Sequence, residues 1–336
     1  MRPTLVPSTA SLRLTCAILT LGLGIGGMAT ADATGPRPRD TAAAASLQAS
    51  ANTEAAALLS AGRFADAARS YQQLVEQNAN DPESLVGLGT SLLGLRRPAD
   101  AIVPLQRAVG LRPDWPLALH RLGLAILESG RPSDALSYLR RAVSLAPNDP
   151  EIEVDLARAI APQTPLEAYG RLQRLTGEHP ELASAWKALG ALLLLTSDAE
   201  LVSGSTAAYR TAVRLRPDDL PLRMELVEAY WALTMLDDAQ AELEAVLERY
   251  PDFAGAWLDL GNTYLYRERY AQALMPLERA CELRPDGAEA HMRRGSALAN
   301  ALRYEEAFAA FSRALGACPR REPRRNRHLG ARAGTQ

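Results

Sequence analysis

Residues able to do chemistry are present, but their spacing assembles no reacting centre. Histidines stand at 120, 179, 291 and 328 and cysteines at 16, 281 and 318, too scattered for any zinc-ligand pattern. Adjacent carboxylates such as Asp237-Asp238 and Glu305-Glu306 are the residue type for general acid–base exchange. Both pairs sit where a short turn feeds a helix, and there a carboxylate caps free N–H groups and meets the positive end of the helix dipole. No glycine-rich phosphate loop, His-Glu metal motif, nucleophile elbow or kinase signature occurs. The expectation is a protein that is not an enzyme and that needs neither metal nor cofactor.

The elements that position these residues must be helices. Of 336 residues 47% are hydrophobic and 23% charged, which suits a folded chain, and only 5% are aromatic while alanine and leucine abound. Small and unbranched side chains lose little rotamer freedom in a helix, so an all-α fold is expected. The net charge of −2 leaves no basic excess for a phosphate backbone, so nucleic acid is not an expected partner. Arg2 and Arg13 precede an apolar run from Leu14 to Met28 that ends in Ala29-Thr30-Ala31, the build of a cleaved signal peptide over residues 1–31. An uncleaved membrane anchor would want about 20 apolar residues, and a lipoprotein signal would use Cys16; both remain as alternatives. The expected location is exported, periplasmic or extracellular, or else membrane-anchored and facing the periplasm.

The strongest signal is a period of 34 residues. Segments beginning at Pro82, Pro116 and Pro150 follow one another without a gap. Leu88-Gly89, Leu122-Gly123, Leu189-Gly190 and Leu260-Gly261 hold the seventh and eighth slots. Twelve slots after the glycine comes a small residue of a second helix: Ala101, Ala135, Ala239, Ala273 and Ala307, each preceded by an acidic or amide residue. Pro113, Pro147, Pro217, Pro251, Pro285 and Pro319 close the second helices. Glycine and alanine at these slots let two antiparallel helices approach closely.

This pattern resembles the tetratricopeptide repeat, with the fullest copy at Ala254 to Gly287, where Trp257, Leu260, Gly261, Tyr264, Tyr270, Ala273, Leu277, Ala280 and Pro285 are in register. The resemblance implies a right-handed α-solenoid of eight helical hairpins over residues 48–319, with copies at 48–81, 82–115, 116–149, 150–182, 183–219, 220–253, 254–287 and 288–321. A signal peptide (1–31), a linker (32–47) and a basic tail (320–336) flank the array. Departures are expected in three places. The fourth copy has Leu156-Ala157 for Leu-Gly and Pro162-Gln163-Thr164-Pro165 at its turn, and the fifth is three residues longer, with a loop or bend expected at Ser203-Gly204-Ser205-Thr206. Pro104 and Pro276 lie inside second helices and should kink rather than break them. In this register Cys281 and Cys318 fall at non-matching slots of successive hairpins, so each is expected to pack rather than to pair.

The resemblance further implies that first helices line a concave groove that receives a partner segment, with slots 5, 9, 12 and 13 pointing inward. Those slots hold His120, Leu124, Leu127 and Glu128; then Lys187, Ala191, Leu194 and Leu195; then Met224, Glu228 and Trp231; then Leu258, Asn262, Leu265 and Tyr266. Such a surface is largely apolar, with Trp231 and Tyr266 as aromatic anchors. The carboxylate clamp of some family members is absent, since Lys187 is the single lysine, and slot 6 lacks an asparagine ladder. The tail carries six arginines against one glutamate, and it or an uncleaved N-terminus is the expected route to any membrane. Without a polar capping helix after it, the eighth copy could associate with a second chain. These expectations describe a non-catalytic scaffold or adaptor for assembling a cell-envelope complex, the alternative being a regulatory or substrate-presenting subunit of an envelope enzyme such as a glycosyltransferase.

Overall fold

The computed structural model describes residues 50–196 and 199–317. The signal-peptide, linker and tail assignments, with Cys16, Cys318 and His328, lie outside the described residues. Within them are sixteen helices and no strand. They pair in order: α1 (50–60) with α2 (Phe64–Gln77), α3 (Pro82–Gly94) with α4 (Pro98–Leu111), α5 (Pro116–Glu128) with α6 (Pro132–Leu145), and α7 (Pro150–Ile160) with α8 (Pro165–Glu178). Then come α9 (Ala183–Leu194) with α10 (Ala199–Leu215), α11 (Leu220–Ala232) with α12 (Leu236–Arg249), α13 (Ala254–Tyr266) with α14 (Tyr270–Leu283), and α15 (Ala288–Asn300) with α16 (Tyr304–Ala317).

Sequence chemistry sets both ends of these helices. Proline opens α3, α4, α5, α6, α7 and α8 at the first turn, where its fixed φ suits the helix and no N–H is needed. The residue before a proline is pushed out of the α region. Arg112, Ala146, Tyr250 and Arg284 accordingly take φ between −127° and −135° with ψ between 67° and 85°, and each second helix stops there. Among the described residues, six of the eight hairpin turns use one left-handed residue, at Gly62, Arg96, Gly130, Thr234, Glu268 and Leu302. Only two of the six are glycine, so the turn is imposed by packing on both sides against a local preference.

Close approach explains the glycines of the first helices. A Cβ on Gly123 would stand 2.6 Å from Leu139 Cγ, and one on Gly261 2.5 Å from Leu277 Cγ, distances at which side chains overlap. Leu105, Leu139 and Leu277, fully buried, fill the space the glycines leave. In the fourth hairpin Ala157 takes the glycine's place and is itself fully buried, with Leu172 in the core opposite.

The fifth hairpin corrects one expectation. Ser203-Gly204-Ser205-Thr206 forms no loop; it lies within α10, which runs to 17 residues where the other second helices have 14. The extra three residues lengthen the helix at its start, where Ser205 and Thr206 are buried and the Thr206 hydroxyl donates to the Ser203 carbonyl. α4 and α14 continue through Pro104 and Pro276.

First helices also touch the next first helix: α3 with α5, α5 with α7, α7 with α9, α9 with α11, and α13 with α15. Second helices make no comparable contacts with one another among the described residues. The first helices thus lie on the inner, tighter side of the stack, and their free faces form its concave surface.

Candidate functional site

Three consecutive first helices, α5, α7 and α9, build a cavity of about 1300 Å³ on that concave side. Counting from each helix's first residue, most of the lining comes from the same positions. The second gives Leu117, Glu151 and Ser184; the fifth, His120, Val154 and Lys187; the sixth, Arg121, Asp155 and Ala188; the ninth, Leu124, Arg158 and Ala191. Glu128 and Leu195 add the thirteenth. At roughly 100° per residue these positions share a sector roughly 100° wide; the twelfth lies at its edge, and only Ala161 of the three residues there reaches the cavity. Leu166 and Tyr169 of α8 close one wall. Leu166 and Leu195 are 81% and 85% exposed, so the cavity presents apolar surface to solvent.

A polar cluster sits in its floor. His120 Nε2 donates to Asp155 Oδ2 at 2.8 Å, and Arg158 Nη1 donates to Asp155 Oδ1 at 2.6 Å. Burial pushes the Asp155 carboxyl up, but the hydrogen bond from His120 and the charge of Arg158 outweigh it and hold the group below the ordinary carboxylate value. Further along, Lys187 Nζ meets Glu225 Oε1 of α11 at 2.6 Å. Both links run from the fifth position of one first helix to the sixth position of the next. Arg96 and Arg121 also line the cavity; neither forms an ion pair among the described residues, and Arg121 Nε is buried without an acceptor.

The expected groove residues divide between this surface and the core. His120, Leu124 and Lys187 line the cavity. Leu127 and Leu194 do not; they are half-buried against the hydrophobic clusters beneath, because the twelfth position turns toward the neighbouring hairpin. Met224 and Trp231 pack half-buried on the cluster formed by α10 to α13, and Leu258 and Leu265 on the one between α13 and α15. Trp231 Nε1 donates to Thr263 Oγ1 at 3.0 Å, and its ring meets Tyr266 edge to face at 6.3 Å. Tyr266 is 62% exposed, and Asn262 is buried. Sequence reading missed the second and sixth positions; the signal that finds them is charge complementarity between slot 5 of one copy and slot 6 of the next.

Most of the other residues of chemical interest are held in structural contacts. Asp237 pairs with Arg267 and Asp238 with Arg210, both in the first turn of α12. Glu306 pairs with Arg303, the residue just before α16. His291 Nε2 donates to the Pro285 carbonyl, and Cys281 is buried as a free thiol, raised by that burial. No group of three or more His, Cys, Asp or Glu among the described residues could hold a metal ion.

Two family models described as tetratricopeptide repeat match the chain, one over residues 52–116, 86–150 and 258–322 and the other over 204–262. Solved structures of similar fold include the crystal structure of the APC/C hetero-tetramer Cut9-Hcn1, at TM-score 0.56 and 17% identity over 74% of this chain and 48% of that one. The human IFIT1 dimer with m7Gppp-AAAA is similar at TM-score 0.57 and 15% identity, over 80% of this chain and 72% of that one. The chain thus spans about half the length of the first of these. No curated protein matches the sequence.

Proposed function

From the premise that the chain belongs to the tetratricopeptide repeat family, we propose that it is an exported, non-catalytic adaptor that holds a segment of another protein against its first helices and so helps assemble a cell-envelope complex. A protein-interaction scaffold is the general role of the fold. The observation that carries the reading is the cavity of α5, α7 and α9, where Leu117, Leu166 and Leu195 stay exposed beside a fixed polar floor. Apolar side chains of a partner would gain free energy by entering it, while Asp155 and its two donors would fix their register.

The support for export is the arginine-flanked apolar run ending at Ala29-Thr30-Ala31. Fractionation of a bacterium producing the full chain, followed by N-terminal sequencing, tests it. A periplasmic product beginning near residue 32 is expected, and a cytoplasmic product that retains Met1 or Arg2 contradicts it.

A second surface favours association of two chains. Phe308 and Leu315 of α16 are 75% and 78% exposed, whereas Leu274 and Cys281, one repeat earlier, are covered by α15. Replacing both by glutamate should leave a sedimentation coefficient that no longer rises with concentration; an already concentration-independent value for the parent chain contradicts the association.

A further inference from the structure

Beyond Lys187 the groove changes character. The ninth position of α11 is Glu228, the sixth of α13 is Asp259 and the second of α15 is Glu289. These are positions that line the cavity farther up, and they form a diagonal row across three successive first helices. Burial, Glu289 and Glu228, in that order, push the Asp259 carboxyl up to about 6. The groups acting on Asp259 include no cation: besides the two glutamates there is only the amide of Asn262, one turn along α13. Glu228 and Asp259 form no ion pair among the described residues. Glu289 has Arg293 at 3.6 Å, with both side chains more than a third exposed.

Asn262 gives an independent pointer. It is nine-tenths buried, its side chain bears on the Asp259 carboxyl, and its Oδ1 finds no donor. A buried carbonyl oxygen without a donor keeps the cost of its desolvation, so Asn262 offers a free acceptor beside Asp259, while Arg293 Nε, buried without an acceptor, lies at the Glu289 end of the row. One turn from Glu228 and Asn262 lie Trp231 and Tyr266, whose rings meet at 6.3 Å and add an aromatic face. The carboxylates do not converge tightly enough for a metal ion. Their spacing suits an organic cation that presents several N–H donors.

We propose that this row is a subsite for one basic side chain, an arginine or lysine on the partner segment that lies in the groove. The inference rests on the groove reading above and names the chemistry of one of its contacts. A guanidinium placed there would supply donors to Asp259 and to Asn262 Oδ1 at once and would offset part of the charge of Glu228 and Asp259, the two carboxylates that Arg293 does not serve.

The test is an NMR titration of the full chain with argininamide at pH 7 and low salt, with N-acetylaspartate as the anionic control. Saturable shifts are expected at the Asn262 side-chain amide and the Trp231 indole, at least fivefold weaker in Asp259→Asn, and absent with the control. Asp259→Asn removes a charge that has no ionic partner, so loss of fold is not an outcome that mimics loss of binding. Equal affinity in the variant, or shifts spread over every acidic surface, would overturn the proposal. So would Asn262 signals that move only when residues 320–336 are removed, because the chain's own arginines would then fill the row. Crosslinking from Leu195 in the cavity, without any argininamide response, would sink this subsite and leave the groove reading standing; the converse result would sink the groove reading alone.

Discussion

His120 on α5 donates to Asp155 on α7 across 2.8 Å, and both side chains are almost fully buried. The link ties two neighbouring hairpins on their inner side, and Lys187 repeats it toward Glu225 two hairpins later, where solvent reaches both partners. The same geometry therefore has two energetic weights. A buried carboxylate that loses a donor keeps its desolvation cost, while an exposed pair is worth at most about 1 kcal/mol.

His120→Ala should accordingly destabilise the chain by about 2 kcal/mol, read from urea unfolding at pH 7. Asp155 is held below its unfolded value of 3.8, so its contribution is present above that value and lost as pH falls through the folded one. The gap between parent and variant should shrink at the acid end. A gap that grows there contradicts the assignment.

Thr234 is a β-branched residue at φ 55°, a conformation costing about 1–2 kcal/mol for any residue with a Cβ. Thr234→Gly should raise stability by about 1 kcal/mol, since the relief exceeds the added backbone entropy of the unfolded chain. Thermal unfolding measures it; a lower midpoint would mean that the turn is unstrained.

Ala273 is fully buried between α13 and α15. Ala273→Leu should overpack that contact and cost about 1–3 kcal/mol. Loss should be felt first at the C-terminal hairpins in hydrogen exchange, because each hairpin is stabilised by its neighbours. Uniform loss of protection along the whole array would contradict nearest-neighbour stacking.

Asp259 carries the opposite sign from Asp155. Its folded value is raised to about 6, so the stability associated with the neutral group is present below the unfolded value and is lost as pH rises through 6. Asp259→Asn should be more stable than the parent by about 1–3 kcal/mol at pH 8 and equal to it at pH 4. Urea midpoints at the two pH values decide; a variant weaker than its parent at pH 8 contradicts the uncompensated row.

The repeat was legible because its markers are steric. Gly123 and Gly261 sit where any Cβ would meet a buried leucine, and proline after a second helix forces the preceding residue to extend, so both leave a residue type at a fixed spacing. Ser203 to Thr206 misled because polar, small residues read as a loop, while the burial of Ser205 and Thr206 inside α10 is decided by packing that a single copy does not encode. Groove positions were legible only in part. Leucine at the twelfth position and leucine at the thirteenth look alike in sequence, yet Leu194, the last residue of α9, packs on the core and Leu195, its C-cap, stands exposed about 100° further round. The link from His120 to Asp155 spans 35 residues, and it becomes visible only when successive copies are compared slot against slot.

The most direct measurement is photocrosslinking in the producing cell from two positions, Leu195 in the cavity and Val103 on the outer face of α4, both well exposed. A groove that holds a partner should give crosslinks from Leu195 that map to one contiguous segment of one protein, and none of that species from Val103. Equal capture from both positions, or capture from Val103 alone, would contradict it.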